Sequence, residues 1–187
     1  MKNLDGVEVT TFTDAAAFDS WLSENHQLQD GVWLKLAKKS SGIPSVSADE
    51  AVDVGLCWGW ISGLRRSYDK SFYLQKYVPR RPRSAWSQVN VSRVEALTAA
   101  GRMRAPGLAE VAAAKADGRW NAAYVSQRGA VPPPDLVRAL AKNKAAARFF
   151  ARLNKTDQYA VILRLVKERT AARRAARLEK IVASMGG

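Results

Sequence analysis

Apolar positions recur with a period of two in parts of the first half of the chain and with helical spacing through most of the second. Gly31 to Lys38 alternates, with Val32, Leu34 and Leu36 set against Trp33, Lys35 and Ala37. That is the pattern of a strand with one face buried. Ahead of it, Thr13 is placed to cap a helix over Asp14 to Glu24, in which Phe18, Trp21 and Leu22 share a face. Ser47-Ala48-Asp49-Glu50 has the spacing of a capping box, with the serine hydroxyl and the glutamate carboxylate each satisfying an orphan amide of the first turn. The helix it opens carries Ala51, Val54 and Cys57 and stops near Gly59. Trp60 to Arg66 and Ser71 to Val78 read as a β-hairpin turning at Tyr68-Asp69-Lys70, and Pro79 ends the second strand because it has no amide to donate.

Beyond Pro79 the pattern predicts helices. Ser87 or Asn90 caps one that runs to Ala100 and closes at Gly101. Pro106 stands in a first turn, with Leu108 to Ala116 following and Gly118 as the stop. Arg119 to Arg128 is irregular, and Pro132-Pro133-Pro134 is a stiff connector. Asp135 to Leu140 and Lys144 to Leu153 are short helices, and Thr156 caps a long last segment reaching about Ser184. The expected fold is therefore α+β, a small antiparallel sheet packed by helices with a C-terminal helical region. The expected division is an α/β unit over 1–130 and helices over 131–187, packed as one compact body.

The charge sharpens this picture. The 187 residues carry a formal charge of +13. Residues 1–62 hold 4 basic and 9 acidic side chains, 63–104 hold 10 and 2, and 142–187 hold 12 and 3. Two basic blocks predict an anionic partner; a solvated basic surface is the plainer alternative. One cysteine, Cys57, and one histidine, His26, exclude an internal disulfide and leave nothing to build a Cys/His metal site. No metal and no cofactor is expected. No apolar run reaches the length of a membrane span and the first residues carry no secretory pattern, so a cytoplasmic protein is expected.

Chemistry concentrates in Tyr77 to Asn90. Arg80, Arg81 and Arg83 offer charge and bidentate bonds to an anion, Ser84, Ser87 and Asn90 offer polar groups near a helix start, and Trp86 offers a flat face. Trp58 and Trp60, in a glycine-rich junction, supply a rigid aromatic wall or else core. Arg119, Trp120 and Tyr124 form an opposite wall or else a capped helix hairpin. Together these residues describe a cleft for an anionic or aromatic small molecule. Nucleic-acid binding is the second reading, through 63–104 and 142–187, with Arg164, Lys167, Arg173, Arg174, Arg177 and Lys180 on the last segment. An enzyme using Ser84 or Ser87, Asn90 and the arginines is the third. It lacks a general base, since His26 is remote in sequence, so no catalytic residue is assigned.

Phe18 to Leu22, Val32 to Lys39, Gly55 to Gly63, Pro79 to Asn90, Gly101 to Leu108, Lys115 to Tyr124 and Glu168 to Val182, in this order, resemble the bacterial YdeI/OmpD-associated family, also labelled bacteriocin-protection proteins. The Gly-Trp-Ile, Pro-Arg-Arg and Ala-Asp-Gly-Arg-Trp pieces carry the likeness. That family usually has Asp after Gly-Trp-Ile, where this chain has Ser62. The resemblance implies a role in stress and in protection against antimicrobial peptides. Direct capture of a cationic peptide conflicts with +13, so the expected partner is anionic or aromatic.

Overall fold

The structure is a computed structural model and describes residues 2–168 and 170–186. The chain divides into two compact units, Met1–Ser84 with Asn90–Asn121, and Ala85–Val89 with Ala122–Gly187.

In the first unit, five strands among the described residues form one sheet. They are β1 (Lys2–Leu4), β2 (Val7–Thr10), β3 (Val32–Ala37), β4 (Trp60–Ser67) and β5 (Phe72–Pro79), in the order β1-β2-β3-β5-β4. The predicted strand and hairpin are present, β4 and β5 pairing antiparallel with a bulge between Ser62 and Arg65. The sheet is not wholly antiparallel, because β2 runs parallel to β3. A parallel pair needs a crossover, and helix α1 (Ala15–Asn25) lies in that connection. Alternation sorts the side chains. Val32, Leu34 and Leu36 of β3 and Tyr73 and Tyr77 of β5 join Phe18 and Leu22 of α1, and Ala51 and Val54 of α2 (Ala48–Cys57), in one buried cluster. Each large side chain so buried contributes about 1.5–3 kcal/mol.

Local chemistry sets the helix ends. Ser47 and Glu50 form the predicted capping box at α2, at 2.9 and 3.2 Å. The amide and hydroxyl of Ser47 hold the Glu50 carboxyl below its ordinary range. At α1 the cap is Asp14, accepting from the Ala17 amide at 2.9 Å, with Thr13 beside it donating to Asp14. An ionised carboxylate is the stronger acceptor for an orphan amide. Two further helices follow, α3 (Gln88–Ala99) and α4 (Ala105–Ala116). Gly107 brings α4 against the end of α2, where a Cβ would lie 2.2 Å from the Cys57 carbonyl oxygen.

The second unit contains α5 (Pro134–Lys142), α6 (Lys144–Arg152), α7 (Lys155–Val166) and α8 (Ala171–Gly186). Its core is Leu136, Ala146, Phe150, Ile162, Leu165, Ile181 and Met185. The long last segment of the sequence is two helices. Asn154, not Thr156, caps α7, and Thr170 accepts from the Arg173 amide at the start of α8. Among the described residues no helix is long and apolar enough to cross a membrane.

Candidate functional site

The arginine bend is framed at both ends. The Arg80 amide donates to the Gly59 carbonyl at 2.9 Å, so the bend leaves the sheet in a set direction. Ser84 closes it, its amide donating to the Arg81 carbonyl at 3.0 Å around Pro82 and Arg83. Arg83 has φ 68°, the left-handed conformation that a type II turn requires at its third residue after a proline. At the far end, the Ser84 carbonyl accepts from Arg119 Nη1 at 3.0 Å. Arg119 is buried, and its Nε is held by the Asp117 carboxylate at 2.6 Å. Arg119 therefore supports the bend and is not an open anion clamp.

Beside this bend lies a hollow of about 310 Å³, lined by Gln29, Asp30, Lys76, Val78, Pro79, Arg80, Arg81 and Pro82. Three cationic side chains meet one carboxylate there. Gly31 positions that carboxylate. It has φ +72°, and a Cβ on it would fall 2.1 Å from the Tyr77 carbonyl oxygen. Only glycine lets the Asp30 segment lie so close to β5. Arg80 is 4% exposed and Arg81 is exposed, so one guanidinium is set into the wall and the other stands at the mouth. Gln29, Asp30, Arg81 and Pro82 are exposed, so the hollow opens to solvent, with Arg80 the buried member of its lining. Lys76 and Asp30 carry no motif in the sequence. The signal for Lys76 was its place in β5 opposite Trp33, on the sheet face away from the main core.

The tryptophans are placed differently from one another. Trp60 is 1% exposed and belongs to the core, its Nε1 donating to the His26 carbonyl at 2.9 Å and its ring edge-on to Trp21 at 6.1 Å. Trp58 is half-buried, with His26 stacked on it at 5.2 Å. Its Nε1 donates to Asp19 Oδ1 at 2.7 Å, and Asp19 Oδ2 accepts from Arg104 at 2.7 Å. Trp120 is half-buried, with Lys115 over its ring at 5.4 Å. Arg83 is exposed, and Ser84 and Asn90 are half-buried. Trp86, Ser87 and Tyr124 belong to the second unit. Trp86 is 1% exposed, and its carbonyl accepts from the Tyr124 amide at 2.9 Å, while Ser87 and Tyr124 form a short parallel bridge. Tyr124 also lies under Lys167, 5.2 Å from its ring.

On α8, Arg173, Arg177 and Lys180 line a hollow of about 320 Å³ with Glu168, which pairs with Arg177 at 2.9 Å. Arg174 is instead structural. It holds the Asp135 carboxylate at 2.6 and 2.9 Å and the Leu165 carbonyl at 2.8 Å. Arg164 lies on α7. Among the described residues no group of three His, Cys, Asp or Glu side chains could hold a metal ion. Cys57 is buried, and burial pushes its thiol up from the ordinary value, which opposes a thiolate role.

The model of a family described as Domain of unknown function (DUF8412) matches residues 10–110, more than half of the chain. The chain belongs to the DUF8412 family. Its matched region spans the sheet from Thr10 onward, the arginine bend and the hollow. A second model, described as Bacteriocin-protection, YdeI or OmpD-Associated, matches residues 130–186. The resemblance drawn from the sequence is thus shown, and this DUF8412 chain is linked to bacteriocin protection through its helices α5 to α8. The match is narrower than the likeness in sequence, since Phe18–Leu22 through Gly101–Leu108 fall in the DUF8412 region and Glu168 to Val182 in the other. No curated protein and no solved structure matches the chain.

Proposed function

We propose that this is a cytosolic binding protein of bacteriocin protection that takes a small anion in the hollow of Lys76, Arg80 and Arg81, without covalent catalysis. One observation carries the reading: three cationic side chains line a 310 Å³ hollow with a single carboxylate, Asp30. The framed bend supports it, because a clamp held in place before binding loses less freedom when the ligand arrives. The flat face first expected beside the arginines is not among the lining residues, so the reading is for an anion and not for an aromatic ring.

Calorimetric titration with pyrophosphate at low salt tests it. The expected result is saturable binding that weakens by more than about tenfold in Arg81→Ala, the loss that the ~1.5–3 kcal/mol of a charged hydrogen bond gives. No heat with pyrophosphate or citrate, or an unchanged affinity in Arg81→Ala, overturns it.

The row Arg173, Arg177 and Lys180 along α8 favours a second reading, nucleic-acid binding. This predicts retardation of single-stranded DNA that falls steeply with salt and is lost when those three residues are changed to Ala.

A further inference from the structure

A larger hollow, of about 360 Å³, lies in the first unit away from the arginine bend. It is lined by Ala15, Ala16 and Asp19 of α1, Val54 and Cys57 of α2, and Gly101, Arg102 and Arg104 between α3 and α4. Its chemistry divides into two parts. Ala15, Ala16, Val54 and Cys57 make an apolar floor, with Val54 and Cys57 each 3% exposed. Asp19, Arg102 and Arg104 make a polar rim.

The rim is electrostatically unbalanced. Asp19 is fully engaged, one oxygen accepting from the Trp58 indole and the other from Arg104, both at 2.7 Å. That pair cancels. Arg102 is exposed and makes no ion pair with any described residue, so one guanidinium remains. Its charge reaches the floor, where it opposes the effect of burial on the Cys57 thiol. A free guanidinium beside hydrocarbon suits a monoanion with a compact apolar body. The two carboxylate oxygens match the guanidinium fork, and the volume falls in the range of small-molecule sites.

We infer that this hollow is a second binding site, for a small apolar monocarboxylate paired with Arg102 and seated on Ala15, Ala16, Val54 and Cys57. It differs from the arginine bend in place, in residues and in ligand, and does not rest on the reading given for that bend. Trp58, tied to Asp19 at the rim, is the natural reporter.

The experiment uses the full chain, sodium benzoate as the probe and benzamide as its neutral counterpart, read by calorimetry and by tryptophan fluorescence. The expected result is benzoate binding about tenfold tighter than benzamide, weakened about tenfold in Arg102→Gln, from loss of one charge-assisted pair. Ala16→Phe fills the hollow from an exposed helix position and is expected to abolish benzoate binding while leaving the far-ultraviolet dichroism unchanged. Arg81→Ala is expected to leave benzoate binding as it was, which separates this site from the bend. The inference is overturned by no benzoate binding, by equal binding of benzoate and benzamide, or by benzoate affinity unchanged in both Arg102→Gln and Ala16→Phe.

Discussion

The buried guanidinium of Arg119 holds the carbonyl of Ser84 at 3.0 Å across 35 positions of sequence. This one bond connects the stop of α4 to the end of the arginine bend. The same side chain is tied to Asp117 through Nε, and the Arg119 amide also donates to Asp117 at 3.1 Å.

Arg119→Ala should therefore act at a distance on the hollow. It removes a buried donor and leaves the Ser84 carbonyl without this partner, a loss of about 1–3 kcal/mol. Urea denaturation should show the lower midpoint, and pyrophosphate affinity should fall although Arg119 does not line the hollow. Unchanged stability together with unchanged affinity would mean the bend holds its shape unaided.

Arg83→Gly is expected to stabilise. A non-glycine residue in the left-handed region costs about 1–2 kcal/mol, and the added freedom of glycine in the unfolded chain offsets roughly half. A gain near 0.5–1 kcal/mol should appear as a raised thermal midpoint. Arg83→Ala keeps the strained φ and removes only charge, so it should show no such gain.

Gly107→Ala should be among the most damaging single-methyl changes in the first unit. The added carbon would meet the Cys57 oxygen at 2.2 Å, the Cys57 carbon at 2.7 Å and the Leu56 oxygen at 2.8 Å, all backbone atoms that cannot rotate away. Forcing α4 off α2 costs about 1–3 kcal/mol or more. Gly101→Ala, with nothing within 4 Å but φ +66°, should lose only about 1 kcal/mol from backbone strain. Thermal melts of the two variants side by side give the comparison.

Acid should loosen the second unit in a way that one ion pair controls. Arg174, hydrogen-bonded to Asp135, holds that carboxyl below its ordinary range. A carboxyl depressed in the folded state contributes its full stability above the unfolded value, about 3.9, and loses it as pH falls through the folded value. Urea midpoints of the parent protein should therefore drop below about pH 4. Asp135→Asn should be less stable at neutral pH and should show a shallower fall in acid. A parent and variant with parallel acid limbs would remove Asp135 as the cause.

Much of the secondary structure was legible because its causes are local. The Ser47–Glu50 box and the Pro79 stop each lie within a few residues and are where the pattern put them; β3 is a strand as expected, but not one with a single buried face, because Trp33 is 1% exposed in a second cluster with Val7 and Leu74. The first two strands are not legible because Lys2–Leu4 and Val7–Thr10 are too short to show a period; β2 is a strand through its pairing with β3, and β1 through its pairing with β2. The break between α7 and α8 escaped for a related reason. Helical spacing resumes after Thr170, and spacing alone does not register a change of direction.

The arginines, in the bend and elsewhere, show the same division. In the bend, their number, their proline punctuation and their place between a strand and a helix are all in the sequence. What each guanidinium does is not. Arg119 supports a carbonyl, Arg174 closes on Asp135, Arg81 stands at the mouth of a hollow, and Arg102 is left over when Asp19 is satisfied by Trp58 and Arg104. The sequence by itself determined the residue types, the local turns and caps and the excess of positive charge, because those depend on near neighbours and on composition. Only the tertiary structure decided which charges are cancelled and which face open space, because that depends on which carboxylate or carbonyl the folded backbone brings within about 3 Å of each.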